Sequence, residues 1–289
     1  RLMCTTCGCS EGATPRMTDP ASGITVELHD HHEGHDHHAH DHGHDHGHGH
    51  DHGHEHADHV HVDGKTIVLE QAILAKNDRL AERNRGWFQA RSVLALNLVS
   101  SPGSGKTTLL ERTIADLKGE LPIHVIEGDQ ETANDAERIR KTGCRVVQIN
   151  TGAGCHLEAD MVARGIGQLQ PPAGSMVMIE NVGNLVCPAL FDLGEQAKVA
   201  ILSVTEGEDK PLKYPHMFRA AKVMLLNKID LLPYLSFDVS RCLDYARTVN
   251  PDLQVFLVSA TSGEGMEQWY EWLHEQMAAM APSPSCGAS

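Results

Sequence analysis

Residues 93–108 read VLALNLVSSPGSGKTT and predict a buried strand, a tight loop and the start of a helix. The loop follows the phosphate-binding pattern G-x-x-x-x-G-K-[ST], except that Ser100 stands at the first glycine. Glycines in such a loop let backbone N–H groups converge on phosphate oxygens, and the following helix adds partial positive charge at its N-terminus. The loop residues that we expect to bind a nucleotide are Gly103, Ser104, Gly105, Lys106, Thr107 and Thr108.

Two side chains of this loop carry the expected chemistry. Lys106 would bridge the β- and γ-phosphates, and Thr107 would bind Mg²⁺. The alternative is a Gly/Ser turn that joins a strand to a helix and binds nothing. The strand–loop–helix setting and the intact GSGKTT of residues 103–108 favour the nucleotide site.

The sequence around this loop alternates short apolar runs with segments of helical length. Such repeated units predict an α/β fold, a mainly parallel sheet of about seven strands with helices on both faces, as in P-loop NTPases. The predicted strands are 93–99, 123–126, 145–149, 176–179, 199–204, 223–226 and 255–258. The predicted helices are 67–90, 106–117, 132–141, 157–169, 237–248 and 266–277.

The ends of two later strands predict which base the nucleotide carries. One strand is followed by NKID, which contains Asn227, Lys228 and Asp230, and the next ends in Ser259 and Ala260. A carboxylate such as Asp230 accepts both adjacent N–H donors of guanine, and adenine offers no such pair. Asn227 would order the neighbouring loops and contact the base, and the Lys228 stem would cover a ring face. NKID alone would also suit a surface loop, but its place at a strand end favours GTP and GDP over ATP.

Acidic residues follow two other predicted strands, in EGD, which ends at Asp129, and in ENVG, which runs from Glu180 to Gly183. Open α/β sheets bind ligands at the carboxyl ends of their strands. We therefore expect Asp129 to reach Mg²⁺ directly or through water, and the Gly183 N–H to meet the γ-phosphate. Lys106, Asp129 and Glu180 form the expected catalytic set, although either acid could instead cap a helix. The sequence indicates no arginine finger, so slow hydrolysis is expected.

Histidine is concentrated in residues 29–61, which contain 17 of the 21 histidines, six Asp, two Glu and no Lys or Arg. This segment has too few apolar side chains to form a core and is expected to be disordered without a ligand. Its imidazoles suit Ni²⁺, Zn²⁺ and Cu²⁺, so it would buffer metal weakly, with proton competition below about pH 6. A purification tag is the alternative, but the irregular Asp/Gly interleaving and the internal position argue against it.

Three thiolates lie within six residues at Cys4, Cys7 and Cys9. Soft thiolates suit Ni²⁺, Cu⁺ or Zn²⁺, so we predict a metal site there. Half a zinc finger and an oxidative pairing of Cys4 with Cys7 are the alternatives.

A third group of metal-binding side chains is predicted within the nucleotide-binding domain, at Cys155, His156 and Cys187. Three ligands are too few for a closed zinc site in one chain, whereas two copies across a symmetric dimer would supply six. Buried free cysteine is also a common core residue, so the residues alone leave both interpretations open.

Composition excludes several classes of function. The net charge of −15 disfavours binding to nucleic acid or to an anionic membrane surface. No run of about 18 apolar residues predicts a membrane span, and no apolar segment at the start predicts a secretion signal. Eight unevenly placed cysteines fit a reduced, cytoplasmic, metal-handling protein better than a disulfide scaffold. The expected divisions are a cysteine-motif segment, a histidine-rich segment, a GTPase domain and a flexible tail, at 1–28, 29–65, 66–281 and 282–289.

Together these motifs closely resemble the HypB family, SIMIBI-class GTPases that help insert nickel during [NiFe]-hydrogenase maturation. The resemblance covers nearly the full length and rests on CTTCGC, the histidine-rich insert, the phosphate loop, GAGCHL, ENVGNLVCP, NKID and SATSGEG. It implies a GTPase whose nucleotide state controls homodimerisation and metal transfer. It also implies that the Cys155, His156 and Cys187 group binds metal, and that the partners are a HypA-type metallochaperone and the hydrogenase large-subunit precursor.

Two rival classes of function remain open from the sequence. One is a metal storage or buffering protein in which the GTPase domain is secondary. The other is a nucleotide-dependent enzyme of different purpose, such as an ATPase with an incidental histidine-rich tail.

Overall fold

The computed structural model of this protein describes residues 16–19, 24–27, 64–129, 134–152 and 154–280. The predicted N-terminal metal site and histidine-rich segment and the C-terminal tail lie outside the described residues; they comprise Cys4, Cys7 and Cys9, residues 29–61 and residues 282–289.

The fold is built on a nine-stranded sheet in the order β2-β1-β5-β4-β6-β3-β7-β8-β9. The strands are β1 (Arg16–Asp19), β2 (Ile24–Glu27), β3 (Leu94–Ser100), β4 (Ile123–Asp129), β5 (Arg145–Asn150), β6 (Met176–Glu180), β7 (Ala197–Ser203), β8 (Ala221–Asn227) and β9 (Gln254–Leu257). All neighbouring pairs from β5 to β9 in this order are parallel. The predicted parallel sheet of about seven strands is therefore confirmed.

The hairpin of β1 and β2 is a feature that the sequence patterns did not predict. β1 pairs antiparallel with β5, so that Arg16 lies opposite Asn150 and Met17 opposite Ile149. Met17 is 7% exposed and joins the apolar cluster that contains Ile149. β5 would otherwise be an edge strand with unpaired backbone groups, and the hairpin covers that edge.

Helices cover both faces of the sheet. They are α1 (Gly64–Ala90), α2 (Lys106–Asp116), α3 (Asn134–Lys141), α4 (Ala159–Leu169), α5 (Cys187–Leu190), α6 (Lys210–Lys213), α7 (Pro215–Ala220), α8 (Val239–Val249) and α9 (Met266–Met280). A 3-10 helix occupies Ile229–Tyr234. None of the helices in the described ranges is long and apolar enough to span a membrane.

Strand β3 shows how the core is divided between the two faces. All seven of its residues are buried, and alternate side chains point to opposite faces of the sheet. Leu96 packs in the cluster that includes Leu109 of α2 and Trp269 of α9. Ala95 packs in the cluster that includes Phe88 of α1 and residues of α4. This packing fixes the N-termini of α2 and α4 beside the carboxyl ends of the strands.

Candidate functional site

The loop between β3 and α2 lines a cleft of about 530 Å³. Gly103 and Gly105 have φ angles of +77° and +90°, a region that glycine enters without steric cost. Ser100 is the last residue of β3 and is 1% exposed. Its extended backbone explains why serine is tolerated where the phosphate-loop pattern has its first glycine.

Asn227 ties the predicted base-binding loops to the phosphate loop. Its Nδ2 donates to the Ser104 carbonyl at 3.0 Å, and its Oδ1 accepts from the Ala260 N–H at 3.2 Å. A Cβ added at Gly105 would lie 2.7 Å from Asn227 Nδ2, so only glycine leaves room for this contact. The structure therefore brings the residues predicted from NKID and from the next strand together with the phosphate loop.

Lys228 and Asp230 of NKID are each held by a hydrogen bond to a neighbouring loop. Lys228 has a φ of +64°, and its Nζ donates to the Gly103 carbonyl at 2.6 Å. Asp230 Oδ1 accepts from Ser259 Oγ at 2.5 Å, which fixes the orientation of the carboxylate. A fixed carboxylate is what recognition of two adjacent N–H donors requires.

Glu180 holds the two loop side chains that are expected to contact phosphate and Mg²⁺. Its Oε1 lies 3.1 Å from Lys106 Nζ and accepts from Thr107 Oγ1 at 2.6 Å. The Glu180 side chain is 1% exposed, and Lys106 is 12% exposed. Charge pairing explains how this carboxylate is buried beneath the cleft.

Glu127 is a cleft residue and the first residue of EGD, but the motif assigned it no role. It is 2% exposed and lies opposite Glu180 where β4 pairs with β6. Burial and then the neighbouring charges of Glu180 and Asp129 raise the pKa of Glu127 well above its ordinary value. Side chains two apart on a strand share a face, so the position of Glu127 relative to Asp129 was the signal in the sequence.

The oxygen atoms around the cleft are suitable ligands for a divalent cation. Within the described residues, Oε2 of Glu127 and Oε2 of Glu180 are buried and have no hydrogen-bond partner. Asp129 and Thr107 line the same cleft. Carboxylate and hydroxyl oxygens are the ligands that Mg²⁺ prefers, and a cation would offset the repulsion between these acids.

Arg138 lies in the wall of the cleft, although the sequence indicated no arginine there. Its Nη2 is 2.5 Å from Glu111 Oε2 and 3.1 Å from Thr108 Oγ1, and its Nη1 is 3.2 Å from Asp135 Oδ1. The two acids hold the guanidinium at the side of the phosphate loop. The signal for it was its place one turn into the helix that follows EGD.

The ENVG motif places Gly183 beside the phosphate loop. A Cβ added at Gly183 would lie 3.3 Å from three atoms of Pro102, so the glycine permits close approach of the two loops. The chain then runs directly to Cys187, the first residue of α5.

A candidate metal centre forms at the end of this same loop. The ligand atoms of Cys155, His156 and Cys187 all lie within 4.8 Å of one another. The two sulfur atoms are 2.9 Å apart, and Cys155 Sγ is 3.6 Å from His156 Nδ1. Both cysteines are buried. One chain therefore brings together all three predicted ligands, for which the sequence suggested a site shared with a second copy.

Burial keeps the ring of His156 neutral. The imidazole packs against Phe191 at a tilt of 35°, with a centroid distance of 3.9 Å, and its Nε2 lies 3.9 Å from Glu158 Oε1. Burial lowers the pKa of His156 to about 4. The ring is therefore unprotonated at neutral pH, which is the form that binds a metal ion.

Comparisons with known proteins point to one family. Residues 94–257 match the nucleotide-binding domain of the CobW/HypB/UreG family. The hydrogenase maturation factor HypB of Escherichia coli (strain K12) is 62% identical over 215 residues, which are 74% of this chain and 74% of that protein. The crystal structure of HypB from Helicobacter pylori in complex with nickel is 38% identical with a TM-score of 0.67, covering 74% of this chain and 99% of its own. HypB from Archaeoglobus fulgidus is 37% identical with a TM-score of 0.66, covering 70% and 99%.

Proposed function

The chain belongs to the HypB hydrogenase maturation factors of the CobW/HypB/UreG family, and from this membership we propose that it is a metal-binding GTPase. It delivers or inserts nickel during maturation of [NiFe]-hydrogenase, and GTP hydrolysis gates its dimerisation and metal transfer. The observation that carries this proposal is the single loop from Glu180 to Cys187. One end of that loop contacts the phosphate-binding residues, and the other supplies a ligand to the thiolate–imidazole group.

The nucleotide is GTP, which the protein hydrolyses slowly to GDP and phosphate. Lys106 binds the phosphates, and Thr107 and Asp129 are the residues that would hold Mg²⁺. Glu180 positions the side chains of Lys106 and Thr107. Bound Mg²⁺ neutralises the charge that develops on the transferred phosphoryl group. Gly183 contacts the γ-phosphate and so reports whether it is present.

The metal cargo is Ni²⁺, and Zn²⁺ binds to the same kind of ligands. Cys155, His156 and Cys187 form one site, and the N-terminal thiolates form another. The relative from Helicobacter pylori forms a complex with nickel, which supports nickel as the cargo here. The proposed partners are a second copy of the chain, a HypA-type metallochaperone and the hydrogenase large-subunit precursor, in the cytoplasm and without nucleic acid or membrane.

Asp230→Asn should lower GTP affinity roughly ten- to a hundredfold, because one of the two acceptors for the guanine N–H groups becomes a donor. Competition of GTP and ATP for the protein measures the change. Asp252→Asn removes an exposed carboxylate from a turn and should leave the preference unchanged. Equal affinity of the unaltered protein for GTP and ATP would contradict the guanine assignment and favour the rival ATPase.

Deletion of residues 29–61 should remove several weakly bound Ni²⁺ ions per chain. Imidazole has an ordinary pKa of about 6.5, so metal held by this segment should be released as the pH falls below about 6. Equilibrium dialysis of the intact and deleted chains at both sides of that pH measures the loss. An unchanged stoichiometry after deletion would contradict a buffering role.

The function itself is tested in a strain that lacks this protein. We expect hydrogenase activity to be lost and to be restored in part by excess nickel. The chain without residues 29–61 should still support activity when nickel is plentiful. If the deleted chain fails under that condition, storage rather than delivery is its main role.

A further inference from the structure

Asn181 lies at the centre of the ENVG motif and is completely buried. It directly follows Glu180, whose carboxylate holds the phosphate-loop side chains. Its backbone N–H donates to the Leu98 carbonyl at 3.0 Å, and its Nδ2 donates to Asn97 Oδ1 at 3.2 Å. Both bonds anchor Asn181 to the neighbouring strand β3.

The side-chain oxygen of Asn181 connects two segments: the loop of residues 181–183, which faces the phosphate loop, and the segment that carries Cys155 and His156. Oδ1 accepts from the Val182 N–H at 3.0 Å and from the Leu157 N–H at 3.1 Å. Val182 precedes Gly183, which faces the phosphate loop, and Leu157 directly follows His156. One oxygen atom therefore accepts hydrogen bonds from the backbone of both segments.

Leu157 also contacts the end of strand β4, which carries Asp129. A Cβ added at Gly128 would lie 2.7 to 2.9 Å from three side-chain carbons of Leu157, so the leucine packs directly on that glycine. Gly128 precedes Asp129 in the cleft. Displacement of the loop from Asn181 to Gly183, or of the end of β4, would thus be transmitted to Leu157.

The orientation of the Asn181 amide is fixed by a chain of buried groups. Asn97 Nδ2 donates to Glu195 Oε1 at 3.1 Å, which leaves Asn97 Oδ1 as the acceptor for Asn181. Glu195 is held in turn by the Leu193 N–H at 2.7 Å. A flip of the Asn181 amide would break bonds at both of its ends, and buried groups without partners are costly.

We propose that Asn181 is the positioning residue through which the nucleotide state sets the geometry of the metal site. When the loop from Asn181 to Gly183 shifts, the Leu157 N–H follows its buried acceptor. Cys155 and His156 then move relative to Cys187, which begins α5 four residues after Gly183. This inference rests on the proposed function, since it names the link between the two sites that the function requires.

The test compares Ni²⁺ affinity in two nucleotide states, in the full-length chain with Cys4, Cys7 and Cys9 changed to serine. Absorption from thiolate-to-nickel charge transfer distinguishes the remaining thiolate site from the histidines, and their competition for Ni²⁺ is the same in both nucleotide states and cancels in the ratio. The reference chain should show different affinities with GDP and with a non-hydrolysable GTP analogue, in the usual allosteric range of about 5- to 150-fold. Asn181→Ala should bring this ratio close to one.

Two further variants separate coupling from stability. Asn181→Asp keeps an acceptor at Oδ1, and burial favours the neutral acid, whose hydroxyl can donate to Asn97 Oδ1, so this variant should retain most of the ratio. Asn250→Ala removes an amide that donates to the carbonyls of Phe218 and Ala221, on α7 and β8, and should leave the ratio intact. An unchanged ratio in Asn181→Ala would overturn the proposal, as would an equal loss in all three variants.

One outcome concerns the reference chain and another concerns Asn181→Ala. If the reference chain has the same Ni²⁺ affinity in both nucleotide states, nucleotide gating is contradicted, and the proposed role of Asn181 is contradicted with it. A ratio that survives in Asn181→Ala refutes only the role of Asn181. Should that variant not fold, hydrogen exchange of the Leu157 amide in the unaltered chain gives the answer. We expect its exchange rate to differ severalfold between the two nucleotide states, and equal rates would overturn the proposal.

Discussion

Replacing Lys106 with alanine should abolish measurable GTP hydrolysis, a loss on the order of 10³-fold or more. Catalysis of phosphoryl transfer consists largely of positioning and charge stabilisation, and a preorganised donor removed from such a site typically costs a factor of this size. In the structure, Lys106 is the phosphate-loop lysine and is aligned by Glu180 at 3.1 Å. Phosphate release in single-turnover and steady-state assays measures the loss.

The same substitution has a second consequence, because Glu180 is buried. Without the ammonium group, its carboxylate keeps the Thr107 hydroxyl but loses its ion-pair partner. Breaking a buried pair from one side typically costs about 3–5 kcal/mol of folding free energy. Thermal unfolding must therefore be recorded with the kinetics, and a double variant with Glu180→Gln should recover stability without recovering hydrolysis.

Lys118→Ala is the matched control for Lys106→Ala. Lys118 is exposed after the end of α2, and its Nζ donates to the Thr142 carbonyl. Removing this cation should leave the rate of hydrolysis unchanged. Hydrolysis by Lys106→Ala at the rate of the unaltered protein would contradict the nucleotide site.

The parallel strands could be predicted because each is a continuous apolar run between helical segments. β3 is the clearest case, since all seven of its residues are buried and its predicted range of 93–99 is observed as Leu94–Ser100. β1 and β2 could not be predicted in the same way. Each has only four residues, and β1 is defined by its pairing with β5, a contact that no local pattern encodes.

The parts of the candidate site that lie within one short motif could be predicted, because spacing along the chain then fixes which residues are close together. The phosphate loop and NKID are such motifs, and the structure brings them together through Asn227. The placement of Cys187 beside Cys155 depends on how α5 and the loop before α4 pack, so the residues alone left both a metal site and buried core cysteines open. The role of Glu127 was missed for a different reason. The sequence does not show that this acid is buried opposite Glu180 of the neighbouring strand.

Cys187→Ala should remove the dependence of Ni²⁺ affinity on the bound nucleotide. Cys187 follows Gly183 by four residues, so the loop proposed to contact the γ-phosphate leads directly to a proposed metal ligand. A shift of a few ångströms there would move its sulfur away from Cys155, which now lies 2.9 Å away. Such a coupling needs only that the metal bind one nucleotide state better, and couplings of about 1–3 kcal/mol are usual.

The assay for this coupling must retain the hairpin of β1 and β2. Removal of residues 1–65 would eliminate the other proposed metal-binding segments but would also expose the edge of β5. A better chain carries serine at Cys4, Cys7 and Cys9 and lacks only residues 29–61. Ni²⁺ titrations with GDP and with a non-hydrolysable GTP analogue then report the remaining site.

A matched control is available in Cys242, which is completely buried in α8 and belongs to the core cluster that surrounds β7 and β8. Cys242→Ala removes a buried thiol of the same size and should leave the dependence on nucleotide intact. If Cys242→Ala abolishes it as well, the loss reflects instability of the domain and not the missing ligand.

Thermodynamic linkage supplies the decisive check on this prediction. If the nucleotide changes nickel affinity by some factor, nickel must change the relative affinity for GDP and the GTP analogue by the same factor. We expect both measurements to give one value in the parent chain and a value near one in Cys187→Ala. Because a ligand that binds both states equally shifts neither, equal nickel affinity in the two nucleotide states would mean that Cys155, His156 and Cys187 are not the switch.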